Sequence, residues 1–170
     1  QVLSSASVGL LGGKRGTATL SSSLLHIDQR YDGVRQALKG DMHFGKFDVA
    51  LDGSLLNTSA GATSTEFLRD KASLARRFKW FTAGITDEQE RNRFHSDSLE
   101  ALTPGSYQYN DWEAFLQSPD SAKAKFRFGA GQRNDQALRN GALSPSTEAT
   151  NYNATLDLSG KKVRKFSATL

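Results

Sequence analysis

Val34-Arg35-Gln36-Ala37-Leu38-Lys39-Gly40-Asp41-Met42-His43-Phe44 is followed by Gly45-Lys46 and then by Phe47-Asp48-Val49-Ala50-Leu51-Asp52-Gly53-Ser54-Leu55-Leu56. In the first arm Val34, Leu38, Met42 and Phe44 share one parity, and Arg35, Lys39, Asp41 and His43 take the other. Successive residues of a strand point to opposite faces, so this pattern predicts a strand with one apolar and one polar side. Gly45 stands at the first central position of a two-residue loop, where a type II′ turn prefers glycine. The return arm repeats the alternation, with Phe47, Val49, Leu51 and Leu55 on one side and Asp48, Asp52 and Ser54 on the other. A two-residue loop sets Phe44 opposite Phe47, so the apolar sides of the two arms coincide.

Each arm runs to about ten residues, the length a tilted strand needs to cross a bilayer. Strands of soluble proteins average nearer five or six. Length and alternation together predict a membrane-crossing hairpin in an antiparallel up-and-down β-barrel, or in part of one. Leu38, Met42, Val49 and Leu51 are then expected to face lipid, and Arg35, Lys39, Asp41, Asp48 and Asp52 the lumen. Phe44, Phe47 and Trp80, with Phe81 and Tyr152, lie near expected strand ends and would form aromatic girdles at the membrane interfaces. The competing reading is a soluble β-sandwich, in which the same aromatic residues are core.

Composition leans toward the barrel. Only 37% of the residues are hydrophobic, which gives a soluble domain a thin core. A barrel needs apolar residues at only every second strand position. The chain has 170 residues, suited to one domain or one barrel segment, and no cysteine for a disulfide or a thiolate site. No stretch approaches the roughly 18 apolar residues of a membrane-spanning helix. The first residues, Gln1-Val2-Leu3-Ser4-Ser5, read as strand and not as a signal peptide, so the chain is expected to be mature, cytosolic, or a segment of something larger. The net charge is +4, with the charges scattered among apolar residues as on a solvated strand face.

Other strands are expected at Val2 to Leu11, Thr17 to Tyr31, Lys71 to Trp80, Phe81 to Phe94, Ala124 to Ala130 and Thr150 to Ser159, about nine in all with the hairpin arms and a last strand. A phase change at Leu24-Leu25 predicts a β-bulge. Gly160-Lys161-Lys162 is expected to turn the chain into that last strand, Val163 to Leu170, whose stop implies pairing strands elsewhere. Tight turns at Gly45 and Gly160 contrast with polar stretches at Asn57 to Glu66, Ser96 to Ser106 and Asn134 to Glu148, the unequal loop layout of an outer-membrane barrel. Asp111 to Leu116 reads as a short helix, with Asp111 as N-cap and Trp112, Phe115 and Leu116 on one face.

Few residues suggest chemistry. His26, His43 and His95 lack metal-ligand spacing, and no nucleophile elbow, P-loop or dinucleotide fingerprint is present. Asp111, Glu113 and Asp120 around Trp112 superficially resemble a glycosidase carboxylate pair, but nothing sets their separation. Lys125-Phe126-Arg127-Phe128 interleaves basic and aromatic residues as an RNA-binding sheet does, yet the crossover helices of that fold are missing from the pattern. The reading therefore includes no enzyme activity, no cofactor, no metal and no nucleic acid.

Glu90-Arg91-Asn92-Arg93-Phe94, then Trp112-Glu113-Ala114-Phe115-Leu116 leading to Ser118-Pro119-Asp120-Ser121, then Gln132-Arg133-Asn134-Asp135, resemble segments of large outer-membrane β-barrel proteins of Bacteroidota. The resemblance covers roughly half the chain. It implies a barrel in the outer membrane of a Gram-negative bacterium, working in transport, export or surface assembly, with membrane lipid and other outer-membrane or surface-lipoprotein subunits as partners. Such barrels are several times longer than this chain, which would be one stretch of one. The alternative function, tied to the sandwich, is a soluble binding module of a cell-surface or periplasmic protein.

Overall fold

The computed structural model describes residues 2–27, 31–96, 106–119, 122, 124–139, 142–158 and 165–169. Among them the chain forms only strands: β1 (Val2–Leu11), β2 (Gly16–Ile27), β3 (Tyr31–Phe44), β4 (Phe47–Ala60), β5 (Thr63–Arg77), β6 (Thr82–Ser96), β7 (Ser106–Gln117), β8 (Ala124–Arg139), β9 (Ala142–Leu143), β10 (Thr147–Leu158) and β11 (Lys165–Thr169). All belong to one antiparallel sheet in sequential order, β1 to β8 and then β10 and β11, with the two-residue β9 beside β8. β1 pairs only with β2 and β11 only with β10 among the described residues, so the sheet is an open up-and-down meander. No second sheet lies across it, which excludes a sandwich formed among these residues.

The Val34–Leu56 hairpin forms as its sequence dictates. Phe44 faces Phe47, Met42 faces Val49 and Lys39 faces Asp52, in unbroken register from Asp32↔Ser59 to the turn. Gly45 takes φ +62°, the left-handed conformation that a primed turn demands and that a Cβ disfavours. A second two-residue turn, Gly61-Ala62, joins β4 to β5, with Ala60 opposite Thr63. The polar stretch Asn57 to Glu66 is therefore two strand ends and a tight turn, not a long loop. Its small residues misled because both strands there run past the apolar part of the sheet. Of the stretch Asn134 to Glu148, residues up to Arg139 belong to β8, Ala142-Leu143 form β9 and Thr147-Glu148 open β10; the described ends Ser96, Ser106, Arg139 and Thr147 lie at the edge opposite Gly45.

Several expectations are corrected by pairing. Asp111 to Leu116 is not helical: it is the middle of β7, hydrogen-bonded to β6 on one side and β8 on the other. The helical spacing of Trp112, Phe115 and Leu116 coexists with strand alternation, and two available ladders decide for the strand. The strand called at Lys71 begins at Thr63 and ends at Arg77, leaving Trp80 in the β5–β6 connection. Thr86 to Arg93, read as a polar end, is strand throughout. β2 carries no bulge at Leu24-Leu25; the irregularity lies across the ladder in β1, between Gly9 and Leu11. Tyr152 sits within β10 and not at its end. Eleven strands are present among the described residues instead of nine. The turn expected at Gly160, the terminal Leu170 and Asp120 lie outside the described residues.

The turn gives a direct test. Gly45→Val is expected to lower the unfolding free energy by about 1–2 kcal/mol, because a left-handed backbone penalises a β-branched residue. Gly53→Ala, where an added Cβ meets nothing within 4 Å, should instead raise it by about 0.5–1 kcal/mol. Urea titrations of both variants against the parent chain measure the pair.

Candidate membrane-facing band and opposing polar wall

The register carries the parity of the hairpin across the whole sheet. On the Leu38 face lie Val8, Leu20, Leu24, Val34, Met42, Phe44, Phe47, Val49, Leu51, Leu74, Ile85, Trp112, Leu116, Phe126, Phe128, Tyr152 and Leu156. Most of them are exposed: Leu38 retains 39% of its surface, Ile85 57% and Tyr152 55%. Of the exposed large hydrophobic residues within strands, all but Leu3 are on this face. No large side chain is fully buried among the described residues. The apolar residues therefore have neighbours beside them and none above them.

This apolar area is a slanted band. On β3 it begins at Val34, with Asp32 beyond it. On β7 it begins at Trp112, after Asn110; on β8 at Ala130, after Gln132; on β10 at Tyr152, after Thr150. Ala130 faces Tyr152 and Ala114, and the row continues through Ile85, Leu74 and Val49 to Met42. The band edge thus drops from the row of Val34 on β3 to the row of Met42 on β6, where Ile85 is the first apolar residue of this face, and stays within two residues of that row on β7, β8 and β10. Along β3 the band runs from Val34 to Phe44, about 33 Å, which a barrel-like tilt of about 40° would reduce to about 25 Å. On β6 it is confined to Ala83 and Ile85.

Above the band the Leu38 face of β5 to β7 is polar apart from Leu68, and the Lys39 face mixes polar residues with Leu56, Phe67 and Phe94. Arg91 pairs with Glu66 at 2.7 Å, Asn110 donates to Asp87 at 3.0 Å and Gln108 to Gln136 at 2.7 Å, all on the Leu38 face. This explains why Thr86 to Arg93 lacks alternation: most of it lies beyond the apolar rows.

The Lys39 face holds a polar network centred on β5 to β8. Glu88 accepts from Arg69 at 3.0 Å, from Lys71 at 2.9 Å and from the Tyr109 hydroxyl at 3.0 Å. The Tyr107 hydroxyl donates to Glu90 at 2.5 Å. Arg133 forks onto Asp135 at 3.0 Å and lies over the Tyr109 ring at 4.1 Å. Arg127 donates to Glu113 and to Gln117, each at 2.9 Å, and covers the Phe115 ring at 4.4 Å. Asn153 closes the cluster from β10 by donating to Glu113 at 2.9 Å. Phe115 fits there because both its ladder partners, Gly84 and Gly129, lack side chains. A Cβ at Gly84 would meet the Phe115 ring at 2.7 Å and the Leu74 carbonyl at 2.6 Å.

The residues singled out in the hairpin divide as expected between the faces. Leu38, Met42, Val49 and Leu51 share one with Phe44 and Phe47; Arg35, Lys39, Asp41, Asp48 and Asp52 share the other. Asp48 takes part in a chain in which His43 lies at 2.6 Å and Arg77 at 3.0 Å. Asp111 and Glu113 share the Lys39 face, but Trp112 points away from both, and Glu113 is held by Arg127 and Asn153. Phe126 and Phe128 lie 5.6 Å apart on the face opposite Arg127, so their interleaving with basic residues is strand alternation. No group of three metal-ligating side chains occurs among the described residues. Sequence reading missed the network around Glu88 and Tyr109, whose members only the β5–β6–β7 register brings together.

Comparison with protein families, with curated proteins and with solved structures finds no match to this chain.

The network is testable through its centre. Glu88→Gln removes the charge shared by Arg69, Lys71 and Tyr109, and is expected to cost about 1 kcal/mol, since both cations are half exposed to solvent. The cost should shrink in 1 M salt, where the screening length falls to about 3 Å. Unfolding titrations of parent and variant at low and high salt measure both effects.

Proposed function

We propose that this chain is a stretch of an outer-membrane β-barrel without catalytic activity, working in transport, export or surface assembly. The observation that carries the reading is the slanted, uncovered apolar band on the Leu38 face. A contiguous apolar surface of this extent requires a partner layer. Hydrocarbon would cover such a face without a second protein layer, and the arms of the Val34–Leu56 hairpin are long enough to cross it. The Lys39 face, with its Glu88 and Glu113 networks, is then the lumen wall, and the strand ends above the band stand in water. Its localisation is the outer membrane of a Gram-negative bacterium, and its partners are membrane lipid and other outer-membrane or surface-lipoprotein subunits.

The two parities of β3 separate this reading from a water-soluble sheet. For protein folded into lipid, Leu38→Arg is expected to cost about 2–4 kcal/mol, as a cation near the bilayer midplane does. Lys39→Leu, one residue away on the other face, should change stability by less than about 1 kcal/mol. Denaturant titrations in vesicles give both values. A chain that purifies as a stable monomer without detergent, or equal costs for the two substitutions, would sink the proposal.

A further inference from the structure

Among the connections that the up-and-down order brings to one edge of the sheet are Gly12-Gly13-Lys14-Arg15, Gly45-Lys46 and Phe78-Lys79-Trp80-Phe81. Backbone bonds tie them to their neighbours, the His43 amide donating to the Arg15 carbonyl and the Arg77 amide to the Lys46 carbonyl, each at 2.7 Å. Six basic side chains, Lys14, Arg15, Lys46, Arg76, Arg77 and Lys79, are exposed along this edge. Arg77 is paired with Asp48 at 3.0 Å. Among the described residues no carboxylate stands within ion-pair reach of the other five. In sequence, the two remaining connections on this edge, 118–123 and 159–164, carry one carboxylate, Asp120, against Lys123, Lys161, Lys162 and Arg164, so they add to the positive balance.

The cations are interleaved with rings. Arg76 lies over Phe78 at 4.9 Å and over Phe47 at 5.5 Å, and Lys79 over Trp80 at 4.9 Å. Phe78 and Phe81 stack at 4.6 Å, and Trp80 is 73% exposed. Phe44 and Phe47 continue this cluster directly into the apolar band. Aromatic rings at the end of an apolar face, topped by cations with long apolar stems, match the boundary between hydrocarbon and phosphate headgroups. An acidic protein partner would account for the charge but not for its continuity with the band.

We infer that the Gly45 edge of the sheet is seated in the headgroup layer of an anionic phospholipid surface, with Arg15, Lys46, Arg76 and Lys79 contacting lipid phosphates. This rests on the lipid-facing reading of the Leu38 face, and adds which end meets charge and with what chemistry. The test is capture of the full chain, diluted from mild detergent, by vesicles of phosphatidylcholine alone or with 30 mol% phosphatidylglycerol. The expected result is capture by both, stronger with phosphatidylglycerol, the excess vanishing in 0.5 M salt. Each charge near the surface contributes about 1 kcal/mol, so the triple variant K46Q/R76Q/K79Q should lose roughly a hundredfold in partitioning to the anionic vesicles and little to the neutral ones. Equal capture by both vesicles overturns the inference and leaves the lipid-facing band standing. Capture by neither overturns the band reading itself. Should the triple variant also lose capture by neutral vesicles, its fold is affected, and the charge-retaining K46R/R76K/K79R decides: a kept preference supports the inference and a lost one overturns it.

Discussion

A single sheet has to satisfy two demands at once, and this one satisfies them with different partners. Its backbone groups are paired strand to strand in long ladders, up to fifteen residues in the case of β5 and β6. Its apolar side chains have no such internal solution, because no helix or second sheet covers the Leu38 face among the described residues. Hydrophobic burial is the dominant favourable contribution to folding, so a sheet that buries almost no large side chain depends on something outside itself. That dependence organises the rest of the molecule. The polar wall, the slant of the band and the basic edge are all arranged around a face that lacks its second layer.

The two faces differ in how crowded they are as well as in polarity. On the Lys39 side Phe115, Glu113, Arg127 and Asn153 reach across one another, and Gly84 and Gly129 make room for them. On the Leu38 side Ile85, Trp112, Phe128 and Tyr152 stand apart and exposed. Pairing Glu88 with Arg69, Lys71 and Tyr109 satisfies its carboxylate on the more crowded face, where neighbouring side chains leave less room for water.

The slant links this geometry to function. An apolar patch for a protein partner has no reason to follow the strand tilt. A patch for hydrocarbon would follow it, and would also cross every strand over an equal length. On β3 the apolar side runs from Val34 to Phe44, whereas on β6 it holds only Ala83 and Ile85, joined to β3 through Leu74 and Val49. The edge at Gly45, where Phe47, Phe78 and Trp80 meet Arg76 and Lys79, lies where such a slab would end.

Much of this was legible from residue order alone. Alternation around Gly45-Lys46 determined the hairpin, its register and the face of every residue in it, because period-two patterning and a two-residue loop leave one pairing that keeps Phe44 opposite Phe47. What alternation could not reveal was anything that depends on a third strand. Asp111 to Leu116 fits a helix or a strand equally well by itself, and only the ladders from β6 and β8 choose between them. Thr86 to Arg93 carries no parity because it lies above the apolar rows, a fact visible only once Ala130 is traced through Ile85 and Val49 to Met42. The Glu88 cluster draws Arg69 and Lys71 from one strand and Tyr109 from another, and the sequence separation between them hides their contact. Local patterning determined which side of each strand is apolar; tertiary register decided where along the strand that side ends, because the position of a slanted boundary is a property of the whole sheet.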